Sequence, residues 1–145
     1  MNVVPRHAVL RGTLRTFTPE QHVEALERMT SLLRELEAMF VVECTLDLTD
    51  LAPAVVNNAD IYEQVMKSAA KVVGASGVVT IPPITPSDDV SEFLNRVPGC
   101  YVFIGGANDD GSSGMHHSPD FQVQDGACRI LAGVLAQSAV DLAQL

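Results

Sequence analysis

Basic residues are scarce in this chain of 145 residues. It has nine lysines and arginines against eighteen aspartates and glutamates, and its formal net charge is −9. A protein that binds nucleic acid needs clustered positive charge to displace the counterions of the phosphate backbone. The composition therefore argues against a nucleic-acid partner.

Long apolar runs are also missing, although 47% of the residues are hydrophobic. No stretch approaches the roughly 18 uninterrupted apolar residues that a membrane-spanning helix needs. Residues 1–7 lack a basic segment followed by an apolar run, so they do not match a signal peptide. We therefore expect a cytoplasmic protein with no membrane partner.

Cysteines are few and widely spaced. Cys44, Cys100 and Cys128 are an odd number, each in apolar or strand-like surroundings. This pattern predicts reduced cysteines in the core, and it fits neither a disulfide framework nor a Cys-x-x-Cys metal site.

The first third of the chain has a strand, helix and strand pattern. Residues 8–17 and 40–50 alternate in polarity, which is typical of half-buried strands. Between them, residues 18–21 (Thr-Pro-Glu-Gln) form a helix start with a capping box. The apolar residues that follow recur every three to four positions, which predicts a helix to about Met39. We therefore expect a β-α-β unit over 8–50.

The remainder alternates between helical and strand-like patterns. The predicted elements are helices capped by Asn58 and Ser87, a last helix at about 124–144, and short strands at 78–81 and 99–106. The predicted fold class is α/β: an α+β part with the β-α-β unit, then an incomplete α/β layer. In total we expect three long helices and one short helix on short sheets.

Several motifs carry a resemblance to a known family. They are Asn-Val-Val-Pro at 2–5, Ala-x-Leu-Arg-Gly-Thr-x-Arg-Thr-Phe at 8–17, Pro-x-Val-Val-Asn at 53–57, Asp-Asp-Val…Val-Pro-Gly at 88–99 and His-Ser-Pro at 117–119. In order and spacing they resemble the metal-dependent aminoacylase/hippurate hydrolase family of amidohydrolases, which is metallopeptidase-like. The resemblance covers nearly the whole chain, but it matches only the C-terminal part of a family member.

This resemblance implies a division into two domains. Residues 1–52 correspond to part of the family's lid, or dimerisation, domain. Residues 53–145 correspond to the C-terminal part of its catalytic α/β domain, and Asn57 matches a hinge asparagine.

The same resemblance implies roles for four residues. His117 matches a metal ligand, and the metal implied is a divalent ion, zinc or manganese. Asn2 and Arg15 match residues that bind the substrate carboxylate, for which a guanidinium offers two parallel donors. Asp88 takes the position of a glutamate in a Gly-Gly-Glu motif and is assigned to substrate binding. The resemblance gives this chain no catalytic residue, and no role transfers to His116.

Other interpretations of these residues stay open from the sequence alone. His117 could be a solvated loop histidine, and Arg15 an exposed arginine of a sheet. Asp88 could be a carboxylate that interacts with the first turn of a helix. Here Pro86 and Ser87 replace the two glycines of the family motif, which changes how closely a ligand can approach the backbone.

The implied function is that of the C-terminal part of a metal-dependent amidohydrolase, which cleaves N-acyl amino acids or small peptides with a metal-activated water. In full-length relatives the N-terminal segments supply most metal ligands and the general base. We therefore expect the 145-residue chain alone to bind metal weakly or not at all and to be inactive.

The alternative is a non-catalytic, oligomerising interaction module derived from that family. An unpaired strand near the start and incomplete sheets both require a partner. The expected partners are a second copy of the chain, in a homo-oligomer, or a complementary N-terminal segment. A third option is binding of a small acyl-amino acid at Arg15 without chemistry.

Overall fold

The structure is a computed structural model, and it describes residues 4–144. These residues separate into two compact units. The first contains the described residues up to Ala54 together with Ile84–Ser87, and the second contains Val55–Pro83 and the residues from Asp88 onward. The domain boundary expected between residues 52 and 53 stays a prediction.

The first unit contains one long helix, α1 (Pro19–Phe40). The Thr18 hydroxyl accepts a hydrogen bond from the Gln21 N–H at 3.2 Å, and the Gln21 side chain accepts one from the Phe17 N–H at 3.0 Å. This exchange satisfies two amides that the helix itself cannot pair. The helix ends at Val41, which is left-handed at φ 52° and donates its N–H to the Glu37 carbonyl. The predicted helix start is confirmed.

The second unit contains α2 (Ala59–Val73), a 3₁₀ turn at Ala75–Gly77, the short helix α3 (Val90–Leu94) and α4 (Asp125–Leu142). Asn58 caps α2 by accepting the Ile61 N–H at 3.1 Å, as predicted. Helices α2 and α4 pack against each other. The buried apolar residues at this contact are Val65, Ala69, Ala127 and Val134.

A polar cluster lies on the same pair of helices. The hydroxyl of the fully buried Ser68 donates to the Asp141 carboxylate at 2.6 Å, and the Lys71 ammonium lies 2.8 Å from both Asp141 oxygens. Gln137 adds a third donor at 3.0 Å. The hydrogen bonds from Ser68 and Lys71 join α2 to α4 beside a small apolar core.

The predicted fold class is wrong. Residues 4–144 contain helices and irregular segments but no strand, so the β-α-β unit and the short sheets are not observed. Alternation in a sequence shows only which side chains share a face, whereas a strand also needs a continuous ladder of hydrogen bonds to a neighbour. The segment 99–106, for example, makes two isolated backbone bonds, from Asn58 to the Gly99 carbonyl and from Gln124 to the Gly106 carbonyl.

Two smaller expectations also need correction. The short helix begins at Val90 instead of next to Ser87, because the Asp88 carboxylate accepts the Val90 N–H at 2.9 Å. Cys44, Cys100 and Cys128 are all free thiols, as predicted, but none lies in the core: Cys44 and Cys100 are half-buried, and Cys128 is exposed on α4. In the part of the chain that is described, no helix has both the length and the apolar character to cross a membrane.

Candidate functional site

The loop that carries the two histidines is closed at its base. The Gln124 N–H donates to the Gly106 carbonyl at 2.8 Å, so the ends of the loop at residues 107–123 lie close together. Inside the loop, the backbone N–H of Asn108 donates to the Ser113 hydroxyl at 2.8 Å. The side-chain Nδ2 of Asn108 donates to Gln122 Oε1 at 3.3 Å. These bonds give a surface loop its own internal framework.

His117 lies in a tight turn at the far end of this loop. The Ser118 N–H donates to the Met115 carbonyl at 3.1 Å, and His117 has a left-handed backbone with φ 65°. Both histidine side chains are exposed, and the ring of His116 also packs on Phe121 with centroids 4.7 Å apart. The two histidines are therefore held differently, and their ring centroids are 6.3 Å apart.

A complete metal site does not form from the residues described. Across residues 4–144, no group of three or more histidine, cysteine, aspartate or glutamate side chains lies close enough together to hold an ion. A catalytic zinc site takes about three protein ligands and a water. His117 alone does not meet that requirement, so no metal-dependent step can be derived from these side chains.

Asp88 lies in the second unit, where a donor reaches each of its carboxylate oxygens. Oδ1 accepts the Val90 N–H at 2.9 Å, and Oδ2 accepts the Tyr101 hydroxyl at 3.1 Å. Both bonds lower the pKa of Asp88, and the bond from Val90 has the larger effect. Asp88 is therefore ionised at neutral pH. The bond to Val90 agrees with a carboxylate at a helix start, and the Tyr101 bond is an additional contact that the start of α3 does not need.

Tyr101 is fixed in turn by Asn57. The Tyr101 N–H donates to Asn57 Oδ1 at 2.8 Å, and Asn57 Nδ2 donates to the Tyr101 carbonyl at 3.0 Å. The asparagine side chain thus pairs with this residue as a neighbouring strand would. No motif in the sequence indicates Tyr101, and its one signal is a hydroxyl group inside an apolar segment.

The other two predicted substrate-binding residues belong to the start of the chain. Arg15 lies in the first unit, where its Nη1 donates to the Thr85 carbonyl at 3.0 Å and to the Ser87 hydroxyl at 2.9 Å. Asn2 lies outside the described residues. Within residues 4–144, no hydrogen bond joins His117 to Asp88, so the structure presents these two as separate features of the second unit.

Comparison with known protein families gives one match that spans most of the chain. The model of the family described as peptidase family M20/M25/M40 matches residues 5–141.

Similar proteins are known from several organisms. Thermostable carboxypeptidase 1 of Saccharolobus solfataricus is 28% identical over 139 residues, which are 94% of this chain and 34% of that protein. IAA-amino acid hydrolase ILR1-like 2 of Arabidopsis thaliana is 27% identical over 143 residues, or 96% of this chain and 32% of that protein. N-acetyl-L-cysteine deacetylase of Bacillus subtilis is 28% identical over 138 residues, which are 95% of this chain and 32% of that protein. The chain spans about a third of the length of these relatives.

Proposed function

Since this chain belongs to peptidase family M20/M25/M40, we propose that it is part of a metal-dependent amidohydrolase that cleaves N-acyl amino acids or small peptides. The names of two relatives support this substrate class, since one is an IAA-amino acid hydrolase and the other an N-acetyl-L-cysteine deacetylase. In both, the implied substrate is an amino acid acylated at nitrogen. The resemblance found in the sequence motifs is confirmed at the level of the family.

The observation that carries the proposal for this chain is the conformation of His117. A left-handed backbone costs a residue other than glycine about 1 kcal/mol or more, and it persists only where the surroundings impose it. Here the turn from Met115 to Ser118 holds it inside a braced loop and leaves the imidazole exposed. His117 is then one ligand of a divalent ion, zinc or manganese. The other ligands and the general base come from polypeptide outside the described residues.

Two separate substrate-binding roles follow from the family. Asp88, ionised at neutral pH, accepts the amide N–H of an acylated amino acid. In the other unit, Arg15 and Asn2 bind a substrate carboxylate, for which the guanidinium fork has the matching geometry. Arg15 Nη1 already donates to Thr85 and Ser87, so Nε and Nη2 are the donors left for that carboxylate.

Two measurements test this proposal on the 145-residue chain. With zinc, manganese or cobalt at high protein concentration, we expect no hydrolysis of acetyl- or benzoyl-amino acids, because one ligand cannot generate the nucleophile. Turnover that His117→Ala abolishes would contradict the expected inactivity.

Manganese, which is paramagnetic, tests the ligand role directly. In NMR spectra, it should broaden the ring signals of His117 before those of His22, and its binding should be weak and non-saturating. The matched variants are His117→Ala and His116→Ala. If manganese broadens the signals of both variants and of the unchanged protein to the same extent, His117 is not a ligand.

A second candidate function is a non-catalytic module that forms a homo-oligomer. It is favoured by α1, which has no buried residue. One side of this helix carries Leu32, Leu36, Met39 and Phe40, which are between 42% and 71% exposed. Apolar side chains at helical spacing commonly pack on a partner.

The mass of the chain in solution tests this second function. Light scattering over about a hundredfold range of concentration should give a multiple of the 15.5 kDa monomer. Leu32→Glu should shift the protein to the monomer, whereas Glu24→Gln should not. A well-folded monomer at every concentration contradicts the oligomer.

A further inference from the structure

Tyr101 connects Asp88 to the rest of the second unit and has no role in the function proposed above. We propose that Tyr101 is a positioning residue, whose hydroxyl fixes the Asp88 carboxylate so that it accepts the amide N–H of an N-acyl amino acid. This inference rests on the proposed substrate-binding function of Asp88, and it adds the residue that sets the direction of that hydrogen bond.

Two donors on opposite oxygens define the orientation of the carboxylate. If Val90 were the only donor, at 2.9 Å from Oδ1, the carboxylate could turn about that bond. The Tyr101 hydroxyl at 3.1 Å from Oδ2 prevents that rotation. An ionised carboxylate has about four acceptor positions, so two positions are left for a ligand.

The position of the phenol is itself defined from two sides. The Tyr101 N–H donates to Asn57 Oδ1 at 2.8 Å and its carbonyl accepts from Asn57 Nδ2 at 3.0 Å, so the backbone of Tyr101 is fixed at both groups. The ring makes an edge-to-face contact with Phe103, with centroids 5.4 Å apart and planes at 85°. Edge-to-face packing favours one orientation of a ring. The hydroxyl is therefore held against Asp88 by groups that do not touch the carboxylate.

The protonation states match this arrangement. Burial raises the pKa of Tyr101, and the hydrogen bond and charge of Asp88 raise it further, so the phenol keeps its proton and donates. The Asp88 carboxylate is therefore an acceptor only, and it recognises a ligand N–H.

This chemistry predicts a specific preference among small ligands. N-acetylglycine has an amide N–H, whereas N-acetylsarcosine has a methyl group at the same nitrogen and no donor. The chain should therefore bind N-acetylglycine more tightly. The preference should depend on Tyr101, since a carboxylate that turns freely loses the fixed direction of its acceptor.

The experiment is an NMR titration of the full 145-residue chain with each of these two ligands. Tyr101→Phe removes only the hydroxyl, and Tyr62→Phe is the matched control, because Tyr62 is the other tyrosine and its hydroxyl lies 3.2 Å from Thr80. In Tyr101→Phe the side-chain pKa of Asp88 should rise toward its ordinary value. The affinity for N-acetylglycine should fall by about fivefold, the worth of one net hydrogen bond, and the preference over N-acetylsarcosine should shrink. Tyr62→Phe should behave like the unchanged protein.

Three outcomes overturn the inference, and they separate its failure from that of the proposed function. An unchanged Asp88 pKa in Tyr101→Phe means that the hydroxyl does not hold the carboxylate. A raised pKa with unchanged ligand affinity means that the contact is structural only, while the proposed function stands. No binding of N-acetylglycine by the unchanged protein refutes the substrate role of Asp88 itself, and the inference falls with it.

Discussion

Replacing Gly114 by alanine is predicted to open the loop that holds His117. A Cβ atom on Gly114 would lie 2.5 Å from the Ser118 hydroxyl oxygen, 2.8 Å from the Asp120 carbonyl carbon and 2.9 Å from its oxygen. The serine hydroxyl can rotate away, but the Asp120 backbone cannot move without lengthening the hydrogen bond that it accepts from the Gly114 N–H at 3.1 Å. The new methyl group therefore conflicts with the bond that closes the turn around His117.

The size of the effect follows from these contacts. Overpacking of this kind costs about 1 to 3 kcal/mol, and loss of one backbone hydrogen bond costs about 1 kcal/mol. Alanine also restricts the unfolded chain, which opposes the loss by about 0.4 to 1 kcal/mol. Gly105→Ala has the same effect on the unfolded chain, and no atom lies within 4 Å of its added Cβ, so it is the matched control. The effect on the unfolded chain cancels between the two variants, so we expect a difference of about 2 to 4 kcal/mol in the free energy of unfolding.

Thermal unfolding followed by circular dichroism measures this difference. For a chain of this length, each kcal/mol corresponds to about 3 °C in Tm. Amide hydrogen exchange shows where in the chain stability is lost. The N–H groups of Ser118 and Phe121 bond to carbonyls inside the same turn, and they should exchange faster in Gly114→Ala alone. Equal Tm values and equal His117 chemical shifts in the two variants would refute the reasoning.

Two further predictions concern the contact between α2 and α4. Val134 is 2% exposed, so Val134→Ala should lower the free energy of unfolding by about 2 kcal/mol in chemical denaturation, whereas Leu135→Ala, at a site 59% exposed, should change it by less than about 0.5 kcal/mol. Lys71, and then Ser68, lower the pKa of Asp141. A lowered carboxyl pKa contributes stability above the unfolded value of about 3.9, and that contribution is lost as pH falls through the folded value. The unchanged protein should therefore be more stable than Asp141→Asn at pH 6, and the difference should disappear in acid; a difference that grows as pH falls would contradict this assignment.

The starts of α1 and α2 were predictable because their chemistry is local. Thr18 and Asn58 each lie three residues before the amide that their side chain accepts, so the sequence contains both partners of the hydrogen bond. Along α2, the apolar residues Val65 and Ala69 are spaced by one helical turn, and both are buried. These features depend on a few neighbouring residues and on no distant part of the chain.

The face of α4 was not predictable in the same way. The spacing of Cys128, Leu131 and Leu135 fits one face of a helix, whereas the structure buries Ala127, Val134 and Ser138. Helix α4 is apolar on nearly every side, so no face stands out in its sequence. The buried face of α4 is set by its packing on α2, where the small residues Ser68 and Ala69 are buried. The strand predictions were wrong for a related reason, because a strand is defined by a partner and alternation in one segment does not supply one.

The candidate site was predictable in identity but not in geometry. The motifs selected Asp88 and His117 as residue types at particular positions. They did not indicate that His117 adopts a left-handed backbone, because a positive φ is uncommon for any residue other than glycine. Nor did they indicate Tyr101, which reaches Asp88 only because Asn57, 44 residues earlier in the chain, holds its backbone.

The two features of the second unit are each braced from within that unit, and this has a consequence for how a complete site would form. His117 is set by a turn and a closed loop, and Asp88 by Val90 and Tyr101. Groups that are already ordered lose little conformational entropy when a ligand or partner arrives. Under the proposed function, polypeptide that supplies the missing ligands would therefore meet a histidine and a carboxylate already in place. Because the two sets of hydrogen bonds share no residue, changes at Gly114 and at Tyr101 should act independently, as expected for separate sites.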